Sequence, residues 1–395
     1  MTMQLPRLSQ LALIAIMFLV QFAHGRRLSE ALLHSFSGGT ADGYYPQAGV
    51  IRDSAGNLYG TTGYGGASNA GAVYKLSPSG KEKILHSFAG GTSDGEYPKA
   101  ELLLDRAGNL YGTAAYGGAS NNGVVYRIDT NRAETVLYSF KGGMKDGCDP
   151  LGSLAKDKAG NLYGATYLCG SSNGGTVFKV TARGKETVLH SFAGGAGDGE
   201  YPYYGRMLLD ASGNLYGVTY QGGASNNGVV YKLSPRGKLT LLHSFAGGTE
   251  DGCEPDVAPI MDKRGNLYGT TSGCGAEGAG TVWRLSPDGT EKILSSSVGA
   301  ASFSGVVRDG EGNLDGTDYS GGAYDCGSVW KLGPAGKLTT LYDFPGSHDG
   351  CYPTGSLLLD AKGNLFGVSY YGGADDLGTV WTLRPGSRAP TRTVP

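Results

Sequence analysis

The chain alternates short apolar or aromatic segments with turn-forming residues. In the first unit these segments are Gln47 to Arg52, Asn57 to Thr62, Ala72 to Leu76 and Glu82 to Phe88. Tyrosine, threonine and valine are common in them, and aspartate, glycine and proline separate them, which is typical of β-strands joined by tight turns. The sequence shows no apolar spacing of the helical kind. The pattern therefore predicts four short strands per unit.

This unit recurs along the chain at intervals of about 50 residues, which predicts an array or a propeller. Gly-Asn-Leu-Tyr-Gly or a close variant marks the second strand of each unit, at Gly56, Gly108, Gly160, Gly213, Gly265, Gly312 and Gly363. Four strands per unit indicate an all-β, seven-bladed β-propeller with four-stranded blades. The seventh unit has no fourth strand of its own, and Glu30 to Phe36 supply one. We expect this N-terminal strand to complete the last blade and close the ring, which removes an open sheet edge.

The two ends of the chain differ from the repeats. A basic start, the apolar run Leu11 to Val20 and small residues before the cut predict a signal peptide, residues 1–25, cleaved after Gly25. An uncleaved anchor helix is the alternative, but the run is shorter than the ~20 residues that cross a bilayer. We expect one propeller at residues 26–384, a disordered tail at residues 385–395, and a secreted or periplasmic protein without a membrane anchor in the mature chain.

Composition narrows the class of protein. Of 395 residues, 70 are glycine and 25 are tyrosine, and 33 basic residues balance 35 acidic ones. The glycines do not recur at every third position, which excludes collagen, and a hydrophobic content of 39% suffices for a packed core. The balanced charge gives no reason to expect a nucleic-acid partner or a membrane surface. The residues indicate no cofactor, and we expect a monomer.

The motif set resembles a known family. Its parts are Gly-Asn-Leu-Tyr-Gly, a Gly-Gly pair, Gly-Thr-Val-Phe-Lys-Leu, Leu-His-Ser-Phe and Asp-Gly-x-x-Pro, and they cover nearly all of residues 30–384. This order is similar to the GloVer tandem repeat of exported bacterial proteins with variable C-terminal anchors, and more weakly to kelch repeats. The resemblance implies an exported bacterial propeller and no particular activity. The chain departs from the family in showing no evident anchor and in its sixth unit, which lacks Leu-His-Ser-Phe and Asp-Gly-x-x-Pro.

The cysteines recur in register with the repeat. In two units, one cysteine follows an Asp-Gly in the loop between blades, and another lies six residues before the glycine that opens the third strand. These two loops leave the same face of a propeller, so each pair can meet, and the third pair follows by elimination. Six cysteines in an exported chain favour disulfides over free thiols. Without a Cys-x-x-Cys motif, no metal site is expected. The predicted disulfides are Cys148–Cys169, Cys253–Cys274 and Cys326–Cys351.

The loops of this face also collect tyrosine and aspartate. Tyrosine with aspartate, asparagine and glycine is the composition of adaptable recognition surfaces, and tyrosine suits the apolar face and hydroxyl edge of a sugar ring. The alternatives are that the tyrosines pack between blades and that the aspartates only form turns, and both stay open. The candidate ligand-binding residues are Tyr45, Tyr64, Tyr97, Tyr116, Tyr201, Tyr204, Tyr220, Tyr352, Tyr370, Asp42, Asp94, Asp198, Asp349 and His348.

Two classes of function fit these features. The first is a non-enzymatic exported module that binds a glycan or an extracellular protein through the loop face. The second is a secreted polysaccharide-acting enzyme, a lyase or hydrolase, with its site on the same face. Near-equal repeats favour binding, because catalysis usually needs one acid–base cluster that is not repeated. The irregular sixth and seventh units could hold such a cluster, so no catalytic residue is assigned.

Overall fold

The described part of the chain contains seven four-stranded antiparallel sheets, the blades, numbered in chain order. The computed structural model describes residues 28–296 and 304–385. From first to fourth strand, the blades are Ile51–Arg52, Leu58–Thr62, Ala72–Leu76, Glu82–Ser87; Leu103–Leu104, Leu110–Ala114, Val124–Ile128, Glu134–Ser139; Ala155–Lys156, Leu162–Thr166, Thr176–Val180, Glu186–Ser191; Leu208–Leu209, Leu215–Thr219, Val229–Leu233, Leu239–Ser244; Ile260–Met261, Leu267–Thr271, Thr281–Leu285, Glu291–Ser295; Val307–Arg308, Leu314–Asp318, Ser328–Leu332, Leu338–Asp343; and Cys351–Leu359, Leu365–Tyr371, Thr379–Pro385, Leu28–Ser35. The predicted seven-bladed propeller is confirmed.

A two-stranded ribbon stands above each of the first five blades, on the side where the second strand leads to the third. The sequence did not predict these ribbons, because each strand is only two residues long and lies in a glycine-rich loop. The pairs are Gly43–Tyr44 with Tyr64–Gly65, Gly95–Glu96 with Tyr116–Gly117, Gly147–Cys148 with Leu168–Cys169, Gly199–Glu200 with Gln221–Gly222, and Gly252–Cys253 with Gly273–Cys274. We call this side the ribbon face. The opposite face carries the short turns that follow the first and third strands.

The N-terminal strand closes the ring, as predicted. Leu28–Ser35 pairs antiparallel with Thr379–Pro385, with Leu32 opposite Trp381. Pro385 ends this last strand, so the propeller extends one residue beyond the predicted boundary. The predicted signal peptide lies outside the described residues, as do residues 386–395 of the predicted tail.

The core lies between neighbouring blades. One aromatic ring from each third strand covers a second-strand glycine, and a Cβ at that glycine would lie under 3 Å from the ring, as at Gly269 beneath Trp283. A fully buried phenylalanine from the preceding blade packs edge-on against the same ring, as Phe245 does at 5.9 Å. This arrangement explains the recurring Leu-Tyr-Gly and Ser-Phe of the sequence, because only glycine leaves room for the ring.

A histidine and an aspartate join the loops to this core. His86 contacts Phe88 edge-on at 4.6 Å and lies 3.3 Å from Asp94 through Nε2. The same pairing recurs at three more blades, and blade 2 has Tyr138 in the histidine position, donating to Asp146 at 2.7 Å. These repeated contacts explain the recurring Leu-His-Ser-Phe motif as part of the blade interface.

The predicted first strand is longer than the observed one. Residues 47–50 were predicted to continue Ile51–Arg52, but they form no sheet ladder. Ala48 and Val50 are nevertheless buried, at 5% and 2% exposure. Their burial comes from packing around the axis of the propeller, so their apolar character gave a misleading strand signal. Each blade has such an axial segment, and these segments form the site described next.

Candidate functional site

A recurring proline directs each ribbon toward the axis. The residue before it is left-handed in all six described copies, with φ between 54° and 62°, although a bulky residue in front of proline prefers extended backbone. Hydrogen bonds from both neighbours hold this conformation: Tyr97 N–H donates to Ala70 O at 2.8 Å, and Ala115 N–H donates to Tyr97 O at 3.2 Å. The residues held in this way are Tyr45, Tyr97, Asp149, Tyr201, Glu254 and Tyr352.

The residue after the proline differs from blade to blade. It begins the axial segment, and no two of the six described copies are the same residue type, whereas the positions on either side repeat closely. In a scaffold of near-identical units, such a position marks where the units were not held to one structural role. The six copies are Gln47, Lys99, Leu151, Tyr203, Asp256 and Thr354.

The axial segments surround a cavity of about 340 Å³ that opens toward the ribbon face. Five of its lining residues are the tyrosines Tyr97, Tyr203, Tyr204, Tyr319 and Tyr370. They come from blades 2, 4, 6 and 7, so the cavity is shared by the ring and belongs to no single blade. Its volume is in the range of sites for small molecules.

Polar side chains complete the wall. Gln47, Lys99 and Thr354 line the cavity together with the tyrosines. Gln47 Nε2 donates to the Tyr97 hydroxyl at 3.3 Å, and Lys99 Nζ lies 4.1 Å from the centre of the same ring. The wall therefore combines aromatic faces with amide, hydroxyl and ammonium groups, which can hydrogen-bond a hydroxylated ligand.

An ion pair forms the floor. Arg206 Nη2 lies 2.6 Å from Glu101 Oε1, and the two residues occupy matched axial positions in blades 2 and 4. The other described blades have glycine, alanine or serine there. Glu101 also lines a second cavity of about 530 Å³ that lies beyond the ion pair. Burial raises the pKa of Glu101, and the Arg206 guanidinium opposes that rise.

Tyrosine rings form two arcs around the mouth of the cavity. The first spans blades 2, 1, 7 and 6, with neighbouring ring centres 4.7 to 6.2 Å apart. The second spans blades 3 and 4, with ring centres 4.1 to 6.1 Å apart. In order, the first arc is Tyr116, Tyr97, Tyr64, Tyr45, Tyr370, Tyr371, Tyr352 and Tyr319, and the second is Tyr201, Tyr167, Tyr203 with Tyr204 and Tyr220.

All nine tyrosines predicted from the sequence belong to these arcs. Three of them, Tyr97, Tyr204 and Tyr370, reach the cavity itself. The other six contact one another or the cavity tyrosines. The structure thus brings the predicted tyrosines onto one face, while their role in binding a ligand stays a prediction.

Burial dominates the electrostatics of the cavity. It raises the pKa of Tyr370 to about 12 and raises the pKa of Tyr204 strongly. It also lowers the pKa of Lys99, against the opposing charge of Asp149. The tyrosine hydroxyls therefore stay protonated at neutral pH and are available as hydrogen-bond donors.

Asp256 is the most unusual ionisable group beside the cavity. It is 1% exposed, and burial raises its pKa to about 7, with a further contribution from Glu254. Ser272 is close enough to lower that pKa, but its hydroxyl donates to Glu254 O at 2.9 Å. Neither carboxylate oxygen of Asp256 accepts a hydrogen bond within the described residues.

Disulfides fix the ribbons that lack tyrosine pairs. Three disulfides join the predicted cysteines, so the pairing derived from register is confirmed. In blade 1 the matched ribbon position holds Tyr44 stacked on Tyr64, with ring centres 5.4 Å apart. The disulfides are Cys148–Cys169, Cys253–Cys274 and Cys326–Cys351. Disulfides are typical of an oxidising extracellular environment.

The predicted aspartates do not line the cavity. Asp42 accepts hydrogen bonds from Gly43 N–H at 2.7 Å and from Ser37 N–H at 2.8 Å, and it also contacts the recurring histidine. Asp94 and Asp198 make the matching contacts in their own loops. These contacts order the loops and leave little of each carboxylate for a ligand.

His348 and Asp349 also lie away from the cavity. Both belong to the short 3-10 helix Ser347–Asp349, where His348 is exposed. Asp349 accepts a hydrogen bond from the Tyr342 hydroxyl at 3.3 Å. Their predicted part in ligand binding stays a prediction.

Blade 6 contains an irregular charged group. Asp315 replaces the tyrosine of Gly-Asn-Leu-Tyr-Gly, and Lys331 Nζ lies 3.1 Å from it and 3.0 Å from Asp309. Burial raises the pKa of Asp315 to about 6, against the Lys331 charge. This group is on the blade interior and does not line the axial cavity.

One cluster has ligand types that metals use. Atoms of His243, Asp251 and Glu291 lie within 4.8 Å of one another. Asp251 already accepts hydrogen bonds from Ala246 N–H and Gly252 N–H, both at 2.7 Å. Because other blade interfaces repeat this histidine and aspartate, the cluster belongs to the interface pattern.

The sequence reasoning missed Lys99, Glu101, Arg206 and Asp256. It searched for residues that recur, whereas these residues occupy axial positions whose identity changes from blade to blade. The available signal was the position directly after the recurring proline. Comparing that position among the units would have found a ring of dissimilar polar residues.

The fold defines the class of protein: a closed β-propeller with an axial cavity. A family model described as the Gloeobacter/Verrucomicrobia repeat matches residues 20–209 and 202–394. The chain therefore belongs to this repeat family, which confirms the resemblance seen in the motifs. No curated protein matches the chain by sequence. No helix within residues 28–296 and 304–385 is long and apolar enough to cross a membrane.

Solved structures share the fold. A streptogramin B lyase is 11% identical with a TM-score of 0.59, and the match covers 91% of this chain and 98% of the lyase. An inactive virginiamycin B lyase from Staphylococcus aureus with quinupristin is 13% identical, with a TM-score of 0.53 and coverage of 91% and 99%. The extracellular domain of BT4673 from B. thetaiotaomicron is 12% identical, with a TM-score of 0.54 and coverage of 88% and 40%. At these identities the likeness is one of fold alone.

Proposed function

We propose that this protein is an exported binding module that recognises a glycan, with one or two sugar rings entering the axial cavity. The observation that carries the proposal is the cavity of about 340 Å³ with its tyrosine-rich wall. A sugar ring has an apolar face that packs on an aromatic ring and hydroxyls that need polar partners. The cavity offers both kinds of group.

The shape of the site favours a glycan over a folded protein partner. A stable protein interface buries about 800 Å² on each partner, and the concave centre of the ring is too narrow for such a contact. A cavity of a few hundred Å³ instead suits a small molecule or the end of a chain. The tyrosine arcs around the mouth could then contact the sugars that follow.

The site is held in place before any ligand arrives. The left-handed residues before the prolines are fixed by backbone hydrogen bonds on both sides, and disulfides fix the ribbons of blades 3 and 5. A rigid wall loses little conformational entropy on binding. Such pre-organisation supports a recognition role.

A polysaccharide-acting enzyme is the second candidate, and Asp256 is the observation that favours it. A carboxyl group with a pKa of about 7 can act as a general acid near neutral pH. Tyr204 is close enough for the Asp256 charge to raise its pKa. Asp256 itself does not line the cavity, so catalysis would require a proton to pass through a neighbouring group.

A glycan array with the mature protein tests the proposal, and a polysaccharide-cleavage assay is run beside it. We expect selective binding of a glycan class without cleavage. Cleavage that disappears in Asp256→Asn, while binding persists, would favour the enzyme. An array on which the folded protein selects no glycan would contradict both candidates.

A further inference from the structure

The ring contains a second cavity, on the opposite side from the tyrosines. It has a volume of about 390 Å³ and lies between blades 5 and 6. Its lining includes the turns of blade 6 around Gly312 and Gly336, which lie on the face opposite the ribbons. Leu294, Leu314 and Pro334 supply an apolar part of the wall.

Three cations line this cavity, and its lining contains no carboxylate. They are Arg284, Lys292 and Arg308. Arg284 and Lys292 are directly opposite each other on paired strands, where like charges are unfavourable. Arg308 comes from the first strand of the next blade, and its guanidinium lies 5.6 Å from the centre of the Tyr268 ring. The arrangement concentrates positive charge in one recess.

The repeat supplies six internal comparisons. At each interface between blades, three matched positions meet: the fourth residue of one third strand, the second residue of its fourth strand, and the second residue of the next first strand. Only the interface of blades 5 and 6 has three cations at these positions. In order from the interface of blades 1 and 2, the sets are Lys75, Lys83, Leu104; Arg127, Thr135, Lys156; Lys179, Thr187, Leu209; Lys232, Thr240, Met261; Arg284, Lys292, Arg308; Lys331, Thr339, Leu359; and Thr382, Ala31, Arg52.

The matched cations at two other interfaces are neutralised. Arg52 Nη1 lies 2.8 Å from Asp360 Oδ2, and Lys156 Nζ lies 2.9 Å from Asp105 Oδ2. In both cases the carboxylate belongs to the turn of the preceding blade. Within the described residues, Arg308 forms no such ion pair with an acidic group.

The corresponding carboxylate of blade 5 is already engaged. Asp262 accepts hydrogen bonds from Arg264 N–H at 2.8 Å and Asn266 N–H at 3.0 Å through one oxygen. Its other oxygen accepts from Asn266 Nδ2 at 2.9 Å and from the Tyr268 hydroxyl at 3.1 Å. Blade 7 has Phe366 in place of that tyrosine, which leaves Asp360 free to bind Arg52.

Two further features indicate that the cations await a partner. The Nε of Arg284 is buried and has no hydrogen-bond acceptor within the described residues. Asp288 is near enough for Arg284 to lower its pKa, but it is fully exposed on its turn and does not line the cavity. A buried guanidinium donor without an acceptor is costly unless a ligand supplies one.

We propose that this recess between blades 5 and 6 binds a divalent oxyanion, a phosphate or sulfate group. Guanidinium groups match the tetrahedral oxygens of such anions, and the lysine adds a point charge. The apolar wall leaves room for an organic body that carries the anionic group. The site is separate from the axial cavity, so it does not depend on the glycan proposal.

Calorimetric titration of the mature protein with sodium phosphate and with sodium sulfate tests this site. Sodium chloride at equal ionic strength removes the general effect of salt. We expect saturable binding of at least one oxyanion and none of chloride. Comparing the two titrations distinguishes a phosphate site from a sulfate site.

Matched variants locate the binding. Arg308→Gln and Lys292→Gln should each weaken it by about tenfold or more, since each removes a charge-assisted contact. Arg52→Gln and Lys83→Gln change the same repeat positions in blade 1 and should leave it unchanged. Circular dichroism checks that every variant is folded. No oxyanion binding beyond that of chloride, or equal losses in both pairs of variants, would overturn the proposal.

Discussion

Two rings of residues, each with one member per blade, contrast sharply. The first ring begins the turn after the first strand, and it is aspartate in every blade. Each of these carboxylates accepts backbone hydrogen bonds within its own turn, as Asp157 does from Asn161 N–H at 2.8 Å. The second ring follows the recurring proline, and its described members all differ. Sameness therefore marks residues that build the fold, and difference marks residues that the fold does not determine.

The contrast separates two kinds of experiment. Changes in the repeated frame should reduce stability, because each frame residue satisfies neighbours that no other residue replaces. Changes in the axial segments should alter binding with little loss of stability. The predictions below run from the largest expected effect on stability to the smallest.

Removing the closing strand should disrupt the frame most. Deleting Leu28–Ser35 takes away the partner of Thr379–Pro385 and opens an edge in blade 7. The deletion variant should aggregate or melt far below the parent, as measured by light scattering and calorimetry. A monomeric variant with the parent's melting temperature would disprove the closure mechanism.

Removing a ribbon disulfide should have an intermediate effect. The double change of Cys148 and Cys169 to serine opens a loop of 21 residues, which is worth about 3 kcal/mol in free energy of unfolding if unstrained. Tyr44→Ala changes the stacked pair at the matched ribbon of blade 1 and should cost less, about 1 kcal/mol. Urea unfolding of both variants gives the comparison. An equal loss in the two would show that the disulfide adds nothing beyond side-chain packing.

Stability should also depend on pH at both ends of the range. Burial raises the pKa of Glu30, Glu82, Glu134 and Glu186 from an ordinary value of 4.5 to about 7, and nearby carboxylates add to the rise. A raised folded-state pKa gives stability that is present below 4.5 and is lost as the pH rises through 7. The melting temperature should therefore fall between about pH 6 and pH 8.

The turn aspartates work in the opposite direction. Their hydrogen bonds outweigh burial and lower their pKa values, so their contribution is present above the unfolded pKa and is lost as the pH falls through the folded one. Glu82→Gln with Glu134→Gln should flatten the alkaline decline and leave the acid decline unchanged. The groups facing the four glutamates are Asp349 for Glu30, Asp42 and His34 for Glu82, Asp94 and His86 for Glu134, and Asp146 and Lys141 for Glu186. An alkaline decline of the same size in the double variant would assign it to other groups.

Axial substitutions should have the smallest effect on stability. Thr354→Val keeps the size of a cavity residue and removes its hydroxyl. That hydroxyl donates to Pro46 O at 3.1 Å, so a loss of about 1 kcal/mol is expected in urea unfolding. Gly269→Ala is the matched frame change, and its Cβ would press on Trp283, which should cost more. A larger loss in Thr354→Val would reverse the comparison between the two rings.

The sequence was sufficient for the frame because repetition multiplies each weak signal. One Gly-Asn-Leu-Tyr-Gly is ambiguous, but seven in register established the blade, the ring closure and the cysteine pairs. It was insufficient for Gln47 to Val50, where packing around the axis imitates a strand. It was also insufficient for Glu101 and Arg206, because their contact joins residues 105 positions apart in the chain.

The most direct test of the account is the affinity of one ligand for two tyrosine variants. The ligand is the oligosaccharide with the strongest array signal, titrated by calorimetry against the parent, Tyr97→Ala and Tyr324→Ala. Tyr97 lines the cavity, whereas Tyr324 is on an outer loop of blade 6 and is 62% exposed.

We expect Tyr97→Ala to weaken binding by about tenfold or more, as for a central aromatic contact, and Tyr324→Ala to bind as the parent does. Melting temperatures of both variants should stay near the parent's. Unchanged affinity in Tyr97→Ala, or an equal loss in Tyr324→Ala, would contradict recognition through the axial cavity.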